Sequence, residues 1–284
     1  MKFVFKKPDM DTVLAAMILG FNESKDDLIL TNSEIQAEVL ADKEIFCIEC
    51  GGSGQLNLKN FDHHDPFIVL PCACVQAYLW KKNLNNVVYN LVKYVQYVDE
   101  GLKKQYKHNN ESEISLSGIY SGMRLKYKKS LIMQFNKGIE LFKTICQKQI
   151  NPWKPLPKLY EWNDYITLKK IQLKVLDNYL RQAEFFYTFS GIKFGFLTAP
   201  TPGIHGLLRR AGCSISIASG LYSYNNNMYY SISSDDLNIS YILSDLLILE
   251  KGWGGPSNGR IIASPQHGSL LPKQKIINIV KERM

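Results

Sequence analysis

Lys2-Phe3-Val4-Phe5-Lys6, then Lys7-Pro8-Asp9-Met10-Asp11-Thr12, then Val13-Leu14-Ala15-Ala16-Met17-Ile18 follow one another without a break, and this opening sets the reading of the fold. The first run is short, apolar and aromatic, as a buried strand is. The third puts Val13, Leu14, Met17 and Ile18 on one helical face, so a helix is expected over 11–21. Further strands are expected over 28–32, 44–50 and 60–63, with a helix over 72–82. Strands that alternate with helices make a parallel sheet with helices on both faces. Two more helices are expected over 86–106 and 130–148.

Asn151-Pro152-Trp153-Lys154-Pro155-Leu156-Pro157 then breaks the pattern, since prolines at this density suit a semi-rigid connection. One long helix is expected over 163–189. Beyond it come strands over 194–198, 214–218 and 229–233, a helix over 239–250, a glycine-rich loop and a closing helix over 274–283. The fold class is therefore α/β in two domains, 1–155 and a smaller 191–284, joined by a linker and connecting helix over 156–190.

The 284 residues are 45% hydrophobic and 12% aromatic, enough for a real core, which excludes wholesale disorder. The formal charge is +8, and residues 101–150 alone carry ten Lys/Arg against three Glu, a local excess of +7. A basic face suits an anionic partner, nucleic acid or phosphate, and equally suits a solvated helical surface. No apolar run reaches the roughly 18 residues a membrane span needs. The start carries no signal-peptide pattern, so a soluble cytoplasmic protein without membrane partners is expected. The six cysteines form no disulfide framework, and Cys47, Cys50, Cys72 and Cys74 read as buried reduced thiols rather than a zinc site.

The chemistry-bearing residues cluster at strand ends. Asp9 and Asp11 follow the first strand, Glu49 ends another, and Asp62-His63-His64 ends a third. In a parallel sheet the carboxyl ends open onto the ligand crevice, so these groups converge. Singly, Asp11 reads as a helix cap and Asp65 before Pro66 as a turn. Jointly they read as a metal site. Carboxylates with a minority of imidazole favour Mn2+ or Mg2+ over zinc, one ion or two, and such ions act on phosphoryl groups.

Lys7-Pro8-Asp9-Met10-Asp11-Thr12, the carboxylate before Gly51-Gly52 and Asp62-His63-His64 together resemble the DHH phosphoesterase superfamily. Gly252-Trp253-Gly254-Gly255-Pro256-Ser257-Asn258-Gly259, followed by Ile261-Ile262-Ala263-Ser264-Pro265-Gln266, is similar to the glycine-rich substrate loop of the DHH-associated domain. The resemblance implies a hydrolase of phosphorylated or nucleotide substrates, in the oligonucleotide, cyclic dinucleotide or polyphosphate class. It implies Asp9, Asp11, Glu49, His63 and Asp99 as metal ligands, and His64 with Asp62 as the catalytic pair. Arg209, Arg210, Gly254, Gly255, Ser257, Asn258, Arg260 and His267 are the candidate substrate contacts. The partner implied is a phosphorylated small molecule or short oligonucleotide, and a homodimer is an expectation by analogy.

Departures from the family pattern keep a second reading open. Phe5, Lys6 and Lys7 occupy the stretch where the family's first motif carries a ligand His, Glu49 replaces an Asp, and Pro256-Ser257-Asn258 replaces the loop's His. The alternative is a degenerate relative that binds nucleotide or nucleic acid without hydrolysing it.

Overall fold

The computed structural model describes all residues except 32–34, 66–67, 83–84, 100–112, 200–201, 222–226, 256–258 and 266. The chain divides into two units, Met1–Lys170 and Ile171–Met284.

In the first unit the strands are β1 (Lys2–Phe5), β2 (Asp27–Leu30), β3 (Ile45–Ile48) and β4 (Asn60–Phe61). They form one sheet in the order β2-β1-β3-β4, parallel throughout. Strand alternation sorts the side chains by face. Phe3, Phe5, Phe46, Ile48 and Phe61 enter the main core, while Val4, Ile45 and Cys47 form a smaller cluster on the other face. The short helix α2 (Ala37–Ala41) covers that second face through Val39 and Leu40. Helices α1 (Met10–Leu19), α3 (Ala73–Lys81), α4 (Asn86–Asp99), α5 (Leu116–Lys126) and α6 (Leu131–Gln147) contribute to the main core. The expected continuation of α4 to residue 106 lies outside the described residues. The proline-rich stretch packs onto this unit: Leu156 is buried, its N–H donates to Ile114 O at 2.8 Å, and Trp153 lies edge-on to Tyr94.

The second unit opens with most of helix α7 (Asn163–Tyr179). The helix expected over 163–189 is too long. After a short 3-10 turn the chain becomes strand β5 (Glu184–Tyr187), paired antiparallel with β6 (Lys193–Thr198). The reason is local: Phe185-Phe186-Tyr187 is an aromatic run that suits a pleated surface, and Phe186 stacks on Phe194 at 5.2 Å. Strands β7 (Ile215–Leu221), β8 (Met228–Ser234) and β9 (Ile261–Ala263) complete a mixed sheet in the order β5-β6-β7-β8-β9. Helices α9 (Ser240–Leu249) and α10 (Lys273–Arg283) bury Ile242, Leu246, Ile276 and Val280 in one core, and α8 (Ile204–Arg210) with Leu176 builds another. The α/β class follows the sequence, while the division between the units falls inside the 156–190 stretch expected as linker and connecting helix. Helices α2, α5 and α8 and strand β9 were not foreseen. No helix among the described residues is long and apolar enough to cross a membrane.

Candidate metal centre

The centre is assembled where β1, β3 and β4 end. Pro8 and Asp9 lie in the β1–α1 loop, which is tied down by Tyr120 of α5. The Tyr120 hydroxyl sits 2.9 Å from both the Pro8 and the Asp9 carbonyl oxygens. Asp9 is the N-cap of α1, accepting from Thr12 N at 3.0 Å. The capping role the sequence offered for Asp11 thus belongs to Asp9 on its own helix. Asp11 instead reaches across to α3, where its two oxygens accept from Ala73 N at 2.7 Å and Cys74 N at 2.8 Å. This carboxylate is buried, and the positive end of the α3 dipole stabilises it.

Glu49 follows β3 with φ of 56°, an unusual left-handed conformation for a glutamate. Backbone strain of this kind persists only where neighbours enforce it. Here Glu49 N donates to Phe61 O at 2.9 Å. Of the glycines that follow, Gly52 is required by space: a Cβ there would lie 2.6 Å from Asn60 Nδ2. The turn they make is held by Asp62, which accepts from Gly51 N at 2.7 Å, Ser53 Oγ at 2.9 Å and His64 N at 2.6 Å. Gln76 of α3 adds a donor to the Asp62 carbonyl at 3.0 Å.

These braces bring the two imidazoles onto the carboxylates. His63 Nε2 lies 3.6 Å from Glu49 Oε1 and 3.7 Å from Asp99 Oδ2. His64 Nδ1 lies 3.6 Å from Glu49 Oε2 and 3.3 Å from Asp62 Oδ1. Ligand atoms of Asp11, His63 and Asp99 all fall within 4.8 Å of one another, and so do those of Glu49, His63 and His64. Asp11 and His63 therefore sit at the same spot.

The electrostatics are those of a site short of positive charge. Burial raises the Glu49 carboxyl well above its ordinary range, and repulsion from Asp11, Asp9, Asp99 and Asp62 adds to it. Burial and Asp11 likewise raise Asp9, against donation from Thr12 and the field of Arg124. Asp62 behaves oppositely: burial would raise it, but bonds from His64 and Ser53 hold it far below the usual carboxylate range. Glu49 Oε1 is buried and accepts no hydrogen bond among the described residues. A buried carboxylate oxygen with no hydrogen bond, set between His63 Nε2 at 3.6 Å and the neighbouring carboxylates, fits a cation.

Cys72 and Cys74 are buried free thiols with their sulfurs 3.6 Å apart, and they flank Asp11 at the start of α3. Phe5 is packed in the core against Phe135 at 4.8 Å, while Lys6 and Lys7 are exposed.

In the second unit, the candidate contacts are largely committed elsewhere. Arg209 is ion-paired with Asp235, and Arg210 Nη2 lies 3.4 Å from Asp177 Oδ1. Gly254 exchanges two backbone bonds with Ala263, at 3.1 and 2.7 Å, and a Cβ on Gly255 would lie 1.9 Å from Ile261 O. Gly255 is thus demanded by close packing on β9, whereas a Cβ on Gly254 would meet nothing within 4 Å. Arg260 is half-buried, with its carbonyl accepting from Ser234 N at 3.0 Å. His267 is exposed, and its carbonyl accepts from Asn227 Nδ2 at 3.1 Å. Ser257 and Asn258 lie outside the described residues. His205 bridges Ser216 Oγ at 2.7 Å and Ser231 Oγ at 3.1 Å, in keeping with a structural role.

Sequence reasoning missed Tyr120, Gln76, Ser53 and Arg124. Tyr120 and Arg124 are one turn apart on α5, a helix whose start is signalled only by Ser115, which caps it by accepting from Gly118 N at 3.0 Å.

No family model and no curated protein matches the chain. Solved structures do. The chain is similar to a pGpG-specific phosphodiesterase from Vibrio cholerae, with a TM-score of 0.61 and 13% identity over 98% of each chain. It is also similar to the DHH domain of a member of the s1p family of ribosomal proteins, with a TM-score of 0.52 and 12% identity over 98% of this chain and 85% of that one. At such identities the likeness concerns the fold. The chain shares the fold of these two structures, and carries Asp62-His63-His64 at the end of β4.

Proposed function

We propose that this chain is a metal-dependent phosphoesterase acting on a phosphorylated or nucleotide substrate, of the oligonucleotide, cyclic dinucleotide or polyphosphate class. The observation that carries the reading is the convergence of Asp11, His63 and Asp99 within 4.8 Å, beside a buried Glu49 oxygen that has no hydrogen-bond donor. Asp11, Glu49, His63 and Asp99 would hold one ion, with Asp9 beside Asp11 available to a second. The oxygen-rich set suits Mn2+ or Mg2+. A divalent cation there supplies charge neutralisation at phosphoryl oxygens and makes water a stronger acid.

The protein's own groups do the rest. Asp62, held in three hydrogen bonds, fixes the His64 backbone. His64 Nδ1 faces Glu49 and Asp62, so a proton on Nδ1 points there, and in the imidazolium form Nε2–H would be the donor that meets a phosphate oxygen or a leaving group. The imidazole is half exposed, as a group that meets substrate must be.

Non-hydrolytic nucleotide binding is the second reading. It is favoured by Phe5, whose place in the core leaves the first motif without an imidazole, and by the pairing of Arg209 and Arg210 with aspartates. The test is hydrolysis of a linear dinucleotide, a short oligonucleotide, bis-p-nitrophenyl phosphate and pyrophosphate with and without Mn2+. Turnover that needs Mn2+ and disappears in His63→Ala is the expected result. Turnover indifferent to a chelator overturns the metal mechanism, and nucleotide binding without turnover selects the second reading.

A further inference from the structure

A phosphate ester brought to a cluster of carboxylates needs positive charge beyond the metal. Of the arginines that sequence offered for this, Arg209 and Arg210 are engaged with Asp235 and Asp177. The first unit holds a cation differently placed. Arg124 lies on α5 four residues after Tyr120, so the two side chains share a helix face. Tyr120 is bonded to the carbonyls of Pro8 and Asp9, which sets that face against the loop that presents the first two aspartates.

The guanidinium is held on one side only. Arg124 Nε donates to Gln134 Oε1 at 3.3 Å. Gln134 is itself buried and anchored, donating through Nε2 to Tyr127 O at 3.1 Å. The two Nη groups have no hydrogen bond or ion pair among the described residues, although the residue is exposed. Lys126, the other basic residue in the last turn of α5, is by contrast paired with Asp164 at 2.5 Å. Arg124 is close enough for its charge to lower the proton affinity of both Asp9 and the Tyr120 phenol.

We propose that Arg124 is an anion-binding residue of this centre, pre-oriented by Gln134 so that its two Nη groups grip a phosphate presented at the Asp9 edge. The fork geometry of a guanidinium suits two oxygens of one phosphate. This gives the basic excess of residues 101–150 a specific job for one of its members. The inference rests on the proposed phosphoesterase reading for its location, and concerns binding rather than the chemical step.

The test uses the full chain and inorganic phosphate as probe. Mn2+ binding is measured first by calorimetry, then phosphate binding with and without Mn2+, for wild type, Arg124→Gln, Arg124→Lys and Gln134→Ala. Arg124→Gln is expected to weaken phosphate about tenfold, since a charge-assisted pair is lost. Arg124→Lys should recover part of that, because charge returns without the fork. Gln134→Ala should weaken phosphate by a smaller factor while the charge is intact. Mn2+ affinity should stay within about twofold of wild type in Arg124→Gln, or tighten as a competing cation is removed. Phosphate bound equally by wild type and Arg124→Gln overturns the assignment, and so does wild-type protein that takes up Mn2+ but no phosphate. Wild-type protein that takes up no Mn2+ overturns the metal reading instead, and the phosphate ratio between wild type and Arg124→Gln still decides Arg124.

Discussion

Replacing Tyr120 with Phe removes one oxygen atom and leaves the ring in place. The ring is 3% exposed and stacks on Phe142 with centroids 5.7 Å apart, contacts that Phe retains. What is lost is the hydroxyl that lies 2.9 Å from the Pro8 and Asp9 carbonyls. Burial and the nearby Asp9 raise the phenol well above its usual range, so it is protonated at neutral pH and its one hydrogen is shared between two acceptors. Losing such a bond, with buried carbonyls left behind, costs about 1–2 kcal/mol. For a unit the size of Met1–Lys170 that is a fall in Tm of about 3–6 °C. The same change frees the loop that aims Asp9, so Mn2+ affinity should fall by several-fold as well. Differential scanning calorimetry without metal and calorimetric Mn2+ titration read the two effects separately. An unchanged Tm in Tyr120→Phe would refute the claim that this hydroxyl braces the loop.

Glu49→Gln should raise the Tm of the metal-free protein at about pH 8, because it removes one of the mutually repelling buried carboxylates, while abolishing the stabilisation that Mn2+ gives wild type; melts with and without Mn2+ check both signs. Asp62→Asn should destabilise the first unit by roughly 2–4 kcal/mol in urea unfolding, since it weakens three hydrogen bonds to a buried carboxylate; a loss under about 0.5 kcal/mol would show that Asp62 does not hold the turn. The pH dependence follows from Glu49 and Asp9, whose carboxyls are raised in the folded state. A raised carboxyl favours the folded state only below its ordinary value, so the metal-free protein loses stability as pH rises from the ordinary carboxylate value through the raised one. Protons and metal compete for the same oxygens, so apparent Mn2+ affinity should climb over that interval with proton release, measured by calorimetry in buffers of differing ionisation enthalpy.

How much was legible differs between the two units for physical reasons. Strand β3 buries all four of its residues and stops at Glu49 before glycines, so both the strand and its functional end could be read locally. The same holds for Asp62-His63-His64 after β4. Helix α5 was missed because it carries glycines that lower its helical signal. Gly122 is there for packing: a Cβ would lie 2.0 Å from Tyr165 O. A residue 43 positions away in sequence thus dictates a helix-weakening choice, and with α5 went Tyr120 and Arg124. The overlong helix before β5 has a local origin instead, because the aromatic run Phe185-Phe186-Tyr187 suits a strand, here paired with β6. The aspartate partners of Arg209 and Arg210 are likewise distant in sequence, so their pairing could not be read.

The central claim is that Asp11, Glu49, His63 and Asp99 surround a divalent cation. Anomalous diffraction at the manganese edge, from crystals soaked at low Mn2+, tests it most directly. The account predicts a strong peak enclosed by these four residues, with a weaker one at Asp9, where the imidazole donor is missing. Crystals that bind Mn2+ elsewhere, or show no peak among these four side chains, would contradict it.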